Sequence, residues 1–229
     1  MLLFHWSYLI LIPGFALMVW SQHQIQRTYR TYSKVTSSVG LTGADVAHIL
    51  LHNLGLQAVR VEMVVGELSD HYDPMTKAVR LSRSTYSSNS LSATAIAAHE
   101  CGHALQDRQS YRFLRWRSSL LPAVNIGSQL GPLLILVGIF LSAAGSLGSG
   151  LIHIGIVLFA ATLIFHLVTL PVEFNASHRA LQLIDQLQLS DRERKAAAQV
   201  LQAAAWTYVA TTVYAALQLV QLLVISRER

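Results

Sequence analysis

The chain has 229 residues, of which 52 % are hydrophobic and only 13 % charged, with a formal net charge of +5. Soluble domains average about 25 % charged residues, so the composition excludes an ordinary soluble globular protein and reads as a mainly α-helical membrane protein. Membrane topology accounts for the positive balance, so no nucleic-acid partner is inferred, and the single cysteine, Cys101, excludes an internal disulfide and suits a reducing compartment.

A helix needs about 20 mostly apolar residues to cross a bilayer. Residues 2–20 carry no Asp, Glu, Lys or Arg and read as an uncleaved N-terminal anchor (1–21), because no basic region precedes them. Residues 22–119 have the grammar of a small α+β domain. "TGADVAHILLHNLGL" has apolar residues at helical spacing, with Thr42 as N-cap and Gly55 near its end. "AVRVEMVV" reads as a strand, "GELSDHYDP" as a turn and "KAVRLS" as a second strand. "SATAIAAHECGHALQD" reads as a helix too short and too closely flanked by polar residues to span a membrane.

Residues 118–172 again carry no Asp, Glu, Lys or Arg and are long enough for a transmembrane hairpin (120–172), with "SLGSG" as its turn. A cytosolic helix (173–195) and a last transmembrane segment with a short tail (196–229) complete a count of about four spans. Arg27, Arg30, Arg115 and Arg117 lie next to the membrane on one side, whereas the "SLGSG" turn has no basic residue. By the positive-inside rule the domain at 22–119 is cytosolic and both termini lie outside.

The chemistry concentrates in His99-Glu100-Cys101-Gly102-His103, an H-E-x-x-H pattern. Residues four apart share one face of a helix, so both imidazoles can reach one zinc ion, and the adjacent Glu100 can act as general base toward water without occupying the metal. A catalytic zinc takes three protein ligands and keeps one position open. Glu173, the first charge after the apolar hairpin, returns to the side of His99 and His103 and is the candidate third ligand. In "DHYDP", His71 or Tyr72 could donate a hydrogen bond to a developing oxyanion, and "KAVRLS" is the candidate edge strand for substrate backbone; the bland alternative is a turn in which Asp70 and Asp73 bond their own backbone. His48 and His52 also stand four apart, but no glutamate adjoins them, and they read as a solvated face. His153 and His166 read as polar groups bonded within the membrane bundle.

"GELSDHYDP", "KAVRLS", "AAHECGHALQ" and "LPVEFNASHRAL", in this order with apolar helices between, resemble the bacterial membrane zinc metallopeptidases of the YugP type. More distantly the chain is similar to the HtpX and Ste24 membrane proteases. The resemblance implies one zinc, a gluzincin-like site on a zincin-like cytosolic domain, peptide-bond hydrolysis, a protein or peptide substrate that is membrane-associated or misfolded, and a multi-pass location in the bacterial inner membrane. It matches His99 and His103 to zinc ligands, Glu100 to the catalytic base and Glu173 to the third ligand. Glutamate zincins often place an Asp four residues after the ligand Glu to hold a zinc-bound histidine; here Ser177 stands there, and Ser177, Asn175 and Asp185 are the candidates for that supporting role. The alternative reading is a non-catalytic membrane scaffold in which zinc only stabilises the domain, with His71 as a fourth ligand.

Overall fold

The computed structural model describes residues 6–141 and 146–227. A 3-10 helix, Trp6–Leu11, leads into α1 (Ile12–Tyr32), followed by α2 (Gly43–Asn53), β1 (Arg60–Val64), β2 (His71–Asp73), β3 (Ala78–Ser82) and the short α3 (Arg83–Tyr86). Then come α4 (Leu91–Arg108), α5 (Arg112–Phe140), α6 (Ser146–Ile184), a 3-10 turn at Asp185–Leu187, and α7 (Asp191–Arg227). The chain divides into two compact units: residues 21–114 with 172–206, and residues 1–20 with 115–171 and 207–229.

The second of these units is built for an apolar solvent. Among the described residues, three helical segments are long and apolar enough to cross a membrane: Arg112–Phe140, Ser146–Leu187 and Asp191–Arg227. The sequence reading expected about four. The missing one, residues 2–20, starts outside the described residues, and α1 continues through Ser21, His23, Gln24 and Arg27, too polar to qualify. Gly127, Gly131 and Gly138 line one face of α5, where an added Cβ would lie 2.8, 3.1 and 2.7 Å from the carbonyl oxygens of Leu158, Gly155 and Gly148 on α6. Small residues at this spacing let two helix backbones touch, the usual way helices associate in lipid. Ile135, Ile139, Ile152 and Ile156 fill the seam, with Leu219, Leu222 and Ile225 packed against them. Leu133, Phe140, Val157 and Ile164 point outward and are exposed, as a lipid-facing surface requires. "SLGSG" is not the expected turn: it forms the start of α6, where Gly148 receives Gly138.

The other unit has a conventional core. On α2, Val46, Ala47, Leu50 and Leu51 form one buried face, and Thr42 and Asp45 close its N-terminus as a capping box. Leu54 ends the helix and Gly55 follows with φ 67°. α4 begins at Ser90, whose side chain accepts from the Ala93 N–H. Its buried residues are mostly small (Ala93, Ala95, Ala97, Ala98, Cys101, Gly102, Ala104), so the helix can be covered on nearly all sides. Val79, Leu81, Leu183, Ile184, Val200 and Leu201 complete this core. Each fully buried aliphatic side chain contributes about 1.5–3 kcal/mol.

The sheet has the order β1-β3-β2, with β1 and β3 parallel and β2 and β3 antiparallel. Two expectations change here. The "DHYDP" stretch contains a strand, and "KAVRLS" lies at the centre of the sheet with a partner on each side, so it has no free edge. Its burial explains why: Ala78, Val79, Leu81 and Ser82 are buried, whereas β1 alternates toward solvent. Arg80, directly opposite both Glu62 and His71, ties the three strands: its Nε donates to Glu62 (3.0 Å) and its Nη1 to Asp73 (2.7 Å). Asp73 also accepts from the Met75 and Thr76 N–H groups and from the Thr76 hydroxyl, closing the β2–β3 turn.

Hydrogen bonds from Thr76 and the Arg80 guanidinium hold the Asp73 carboxyl well below the usual carboxylate range. A depressed acid stabilises the fold above its unfolded pKa of about 4, and that contribution is lost as pH falls through the folded value. Asp73→Ala is therefore expected to cost about 1–3 kcal/mol at pH 7. The gap to wild type should narrow between pH 5 and pH 3, as read by thermal unfolding in detergent.

Candidate metal centre

α4 and α6 each carry polar side chains into a largely buried place in the core. His99 and His103, one helical turn apart on α4, present their rings edge to face with centroids 4.7 Å apart. Glu173 on α6, 2 % exposed, directs Oε2 to within 3.2 Å of His99 Nε2 and 3.7 Å of His103 Nε2. One ligand atom from each of the three residues lies within 4.8 Å of the others. Bonds of about 2.0–2.2 Å in a tetrahedral arrangement place ligand atoms about 3.4 Å apart, so the spacing to Glu173 suits a zinc ion.

The outer faces of the imidazoles settle which nitrogens point inward. Gln106, fully buried, accepts from His103 Nδ1 at 3.0 Å through Oε1 and donates through Nε2 to the Val172 carbonyl (2.8 Å) and to Asn175 Oδ1 (2.9 Å). A backbone carbonyl can only accept, so the amide has one orientation, and His103 must carry its proton on Nδ1. In the neutral ring its Nε2 lone pair then faces the Glu173 carboxylate, a juxtaposition that calls for a cation between them. His99 Nδ1 lies 3.3 Å from Ser177 Oγ. Among the described residues, no other group of three His, Cys, Asp or Glu converges in this way.

Residues 7–227 match the family described as "Putative neutral zinc metallopeptidase". The chain belongs to this family. It is 44 % identical over 215 residues to a Bacillus subtilis (strain 168) protein named "Putative membrane protease YugP", with 93 % of each chain covered. No solved structure matches.

Glu100 adjoins His99 on α4. It is buried, and burial, reinforced by the nearby Glu173 charge and opposed by His99, pushes its carboxyl up to about 7. The Tyr72 backbone N–H lies close enough to this carboxyl to favour its charged form, against the burial. The two oxyanion candidates have their protons directed elsewhere. The Tyr72 hydroxyl donates to Asp107 (2.6 Å), and burial with that acceptor raises its pKa. His71 is exposed and its Nδ1 bonds Ser69 O at 2.8 Å, which leaves Nε2 an acceptor in the neutral ring.

Of the supporting candidates, Ser177 is at His99, Asn175 reaches His103 only through Gln106, and Asp185 pairs with Arg194 (2.5 Å) away from both histidines. His48 and His52 are exposed on α2. Gln106 is the residue the sequence reading missed. Its signal was available: a polar amide three residues after His103, on the face that the histidine itself occupies.

Gly102, inside the motif, permits the assembly. A Cβ there would lie 2.7 Å from the Ala176 carbonyl oxygen, so α6 approaches α4 at backbone contact, one turn from Glu173. Gly102→Ala should displace α6 and lower retained zinc several-fold with little loss of helix, measured by elemental analysis and far-UV circular dichroism. Full zinc retention would show that the close approach is dispensable.

Proposed function

We propose that this protein is a zinc-dependent membrane endopeptidase in which His99, His103 and Glu173 hold one zinc ion and Glu100 is the general base. The observation that carries the reading is the convergence of two imidazole Nε2 atoms and one buried carboxylate, at 3.2 and 3.7 Å, beside a buried glutamate. Zinc held by these groups supplies Lewis-acid polarisation of a peptide carbonyl and lowers the pKa of water toward neutrality.

The chain's own residues do the rest. Glu100 takes a proton onto its carboxylate as water is deprotonated and returns it to the leaving amine. A carboxyl held at about 7 by burial exchanges protons readily in both directions near neutral pH. The Tyr72 N–H orients it. The substrate strand is proposed to lie along β2, whose outer side adjoins Glu100, in place of the central β3.

The name of the Bacillus subtilis relative, a membrane protease, and the three apolar helices support an integral membrane location. The basic residues flanking the apolar segments support a cytosolic active site, residues 2–20 would supply a fourth span, and the substrate would be a membrane-associated or misfolded protein cleaved near the bilayer surface. A scaffold with a structural zinc would need a fourth protein ligand. The three-residue cluster and the exposed position of His71 favour an open catalytic site.

Glu100→Gln is expected to keep its zinc while cleavage of a membrane-tethered reporter falls at least about 100-fold. Glu173→Ala should lose most of the metal. Both are read on full-length protein in detergent, by elemental analysis alongside reporter cleavage. Unchanged cleavage by the Glu100 variant favours the scaffold; unchanged zinc in the Glu173 variant removes the third ligand.

A further inference from the structure

The polar groups behind His103 continue beyond Gln106. Asn175 Oδ1 accepts from Gln106 Nε2 at 2.9 Å and from Arg179 Nε at 2.6 Å. Arg179 sits one turn further along α6, and its Nη1 donates to Gln109 Oε1 at 2.7 Å. Every proton in this chain has one direction. Arg179 can only donate, so Asn175 must turn its oxygen toward both neighbours. Gln106 must then turn its nitrogen to Asn175 and Val172 O, and its oxygen to His103. The chain of bonds begins at a fixed cation and ends at the ring whose Nε2 faces Glu173.

We propose that Arg179 is a positioning residue of the metal site, acting through Asn175 and Gln106 to lock His103 as the Nδ1–H tautomer with Nε2 available to metal. The inference rests on the zinc-site reading above. Two features make the arrangement more than packing. First, Gln106 and Asn175 bridge the two helices that supply the ligands, since Gln106 on α4 bonds both Val172 and Asn175, the residues on either side of the Glu173–Phe174 pair. Second, the acceptor on His103 is a neutral amide, where a ligand histidine more commonly meets a carboxylate or backbone carbonyl. A neutral amide can present its nitrogen in place of its oxygen, and that wrong face would force the His103 proton onto Nε2. The Val172 carbonyl already opposes that wrong face, and the Arg179 cation adds to its cost by repelling an inward-turned Asn175 amide group.

The test is a double-mutant cycle on zinc affinity, with full-length protein in detergent and a competing chelator of known affinity. Arg179→Met is placed in the wild-type and in the Gln106→Ala background. Losing a group that orients a ligand typically costs about 10–100-fold in metal affinity, so Arg179→Met alone should weaken zinc binding by about 10-fold. In the Gln106→Ala background it should have almost no further effect, because the path to His103 is already cut. Arg179→Lys, which keeps a donor for Asn175, should recover much of the loss.

An equal loss in both backgrounds would overturn the proposal and leave Arg179 a merely structural residue, as would unchanged affinity. Asn175→Ala, measured in the same two backgrounds, carries the same expectation and serves if Arg179→Met does not fold. If wild type itself binds no zinc, the site reading fails, an outcome distinct from failure of the positioning role.

Discussion

A carboxylate 2 % exposed to solvent is not stable by itself. Glu173 can persist in the core only with positive charge between it and the His99 and His103 Nε2 atoms, which it reaches at 3.2 and 3.7 Å. The rest of this unit is arranged to allow that one meeting. α4 must be buried over most of its surface, so it is rich in alanine. It must touch α6 at backbone distance, so position 102 has no side chain where Ala176 presents its carbonyl. A hydrogen-bonding amide, Gln106, then spans the same seam and occupies the backbone carbonyl next to Glu173.

The sheet meets α4 on a face next to the one that α6 covers. β3 supplies the buried centre, and the Arg80 pairs with Glu62 and Asp73 keep the outer strands in register with it. β2 is anchored to α4 through the Tyr72 hydroxyl at Asp107, and the Tyr72 backbone lies near Glu100. Those two α4 residues lie two turns apart on one helix face, and the Tyr72 side chain spans the distance between them. A single residue thereby links the strand to α4 beside Glu100.

Much of the local structure was legible because its causes are local. Thr42 and Asp45 cap α2 by their spacing, and the apolar repeat that follows has only one way to bury itself. What misled were residues whose role depends on a distant partner. The glycines of "SLGSG" look like a turn and prove to lie in the first turns of α6, where Gly148 meets Gly138 of another helix. "KAVRLS" looks like any short strand, and nothing along the chain says that it will be flanked on both sides. Gln106 could be placed on the His103 face by counting, but its meaning came from Val172, 66 residues away. Asp185, a plausible partner for a histidine by charge and position, is drawn instead to Arg194, nine residues on.

By itself the sequence determined the chemistry available and its rough location. H-E-x-x-H fixes two imidazoles and a carboxylate on one helix through the 3.6-residue repeat, and an uncharged run ending at Glu173 returns a second carboxylate to the chain at a definite place. Only the tertiary structure decided that these groups meet, which nitrogens they turn to one another, and which uncharged side chains hold them so. Those outcomes depend on separations of about 3 Å between α4 and α6, across seventy residues of intervening chain, and helical periodicity specifies a face but not the neighbour that comes to cover it.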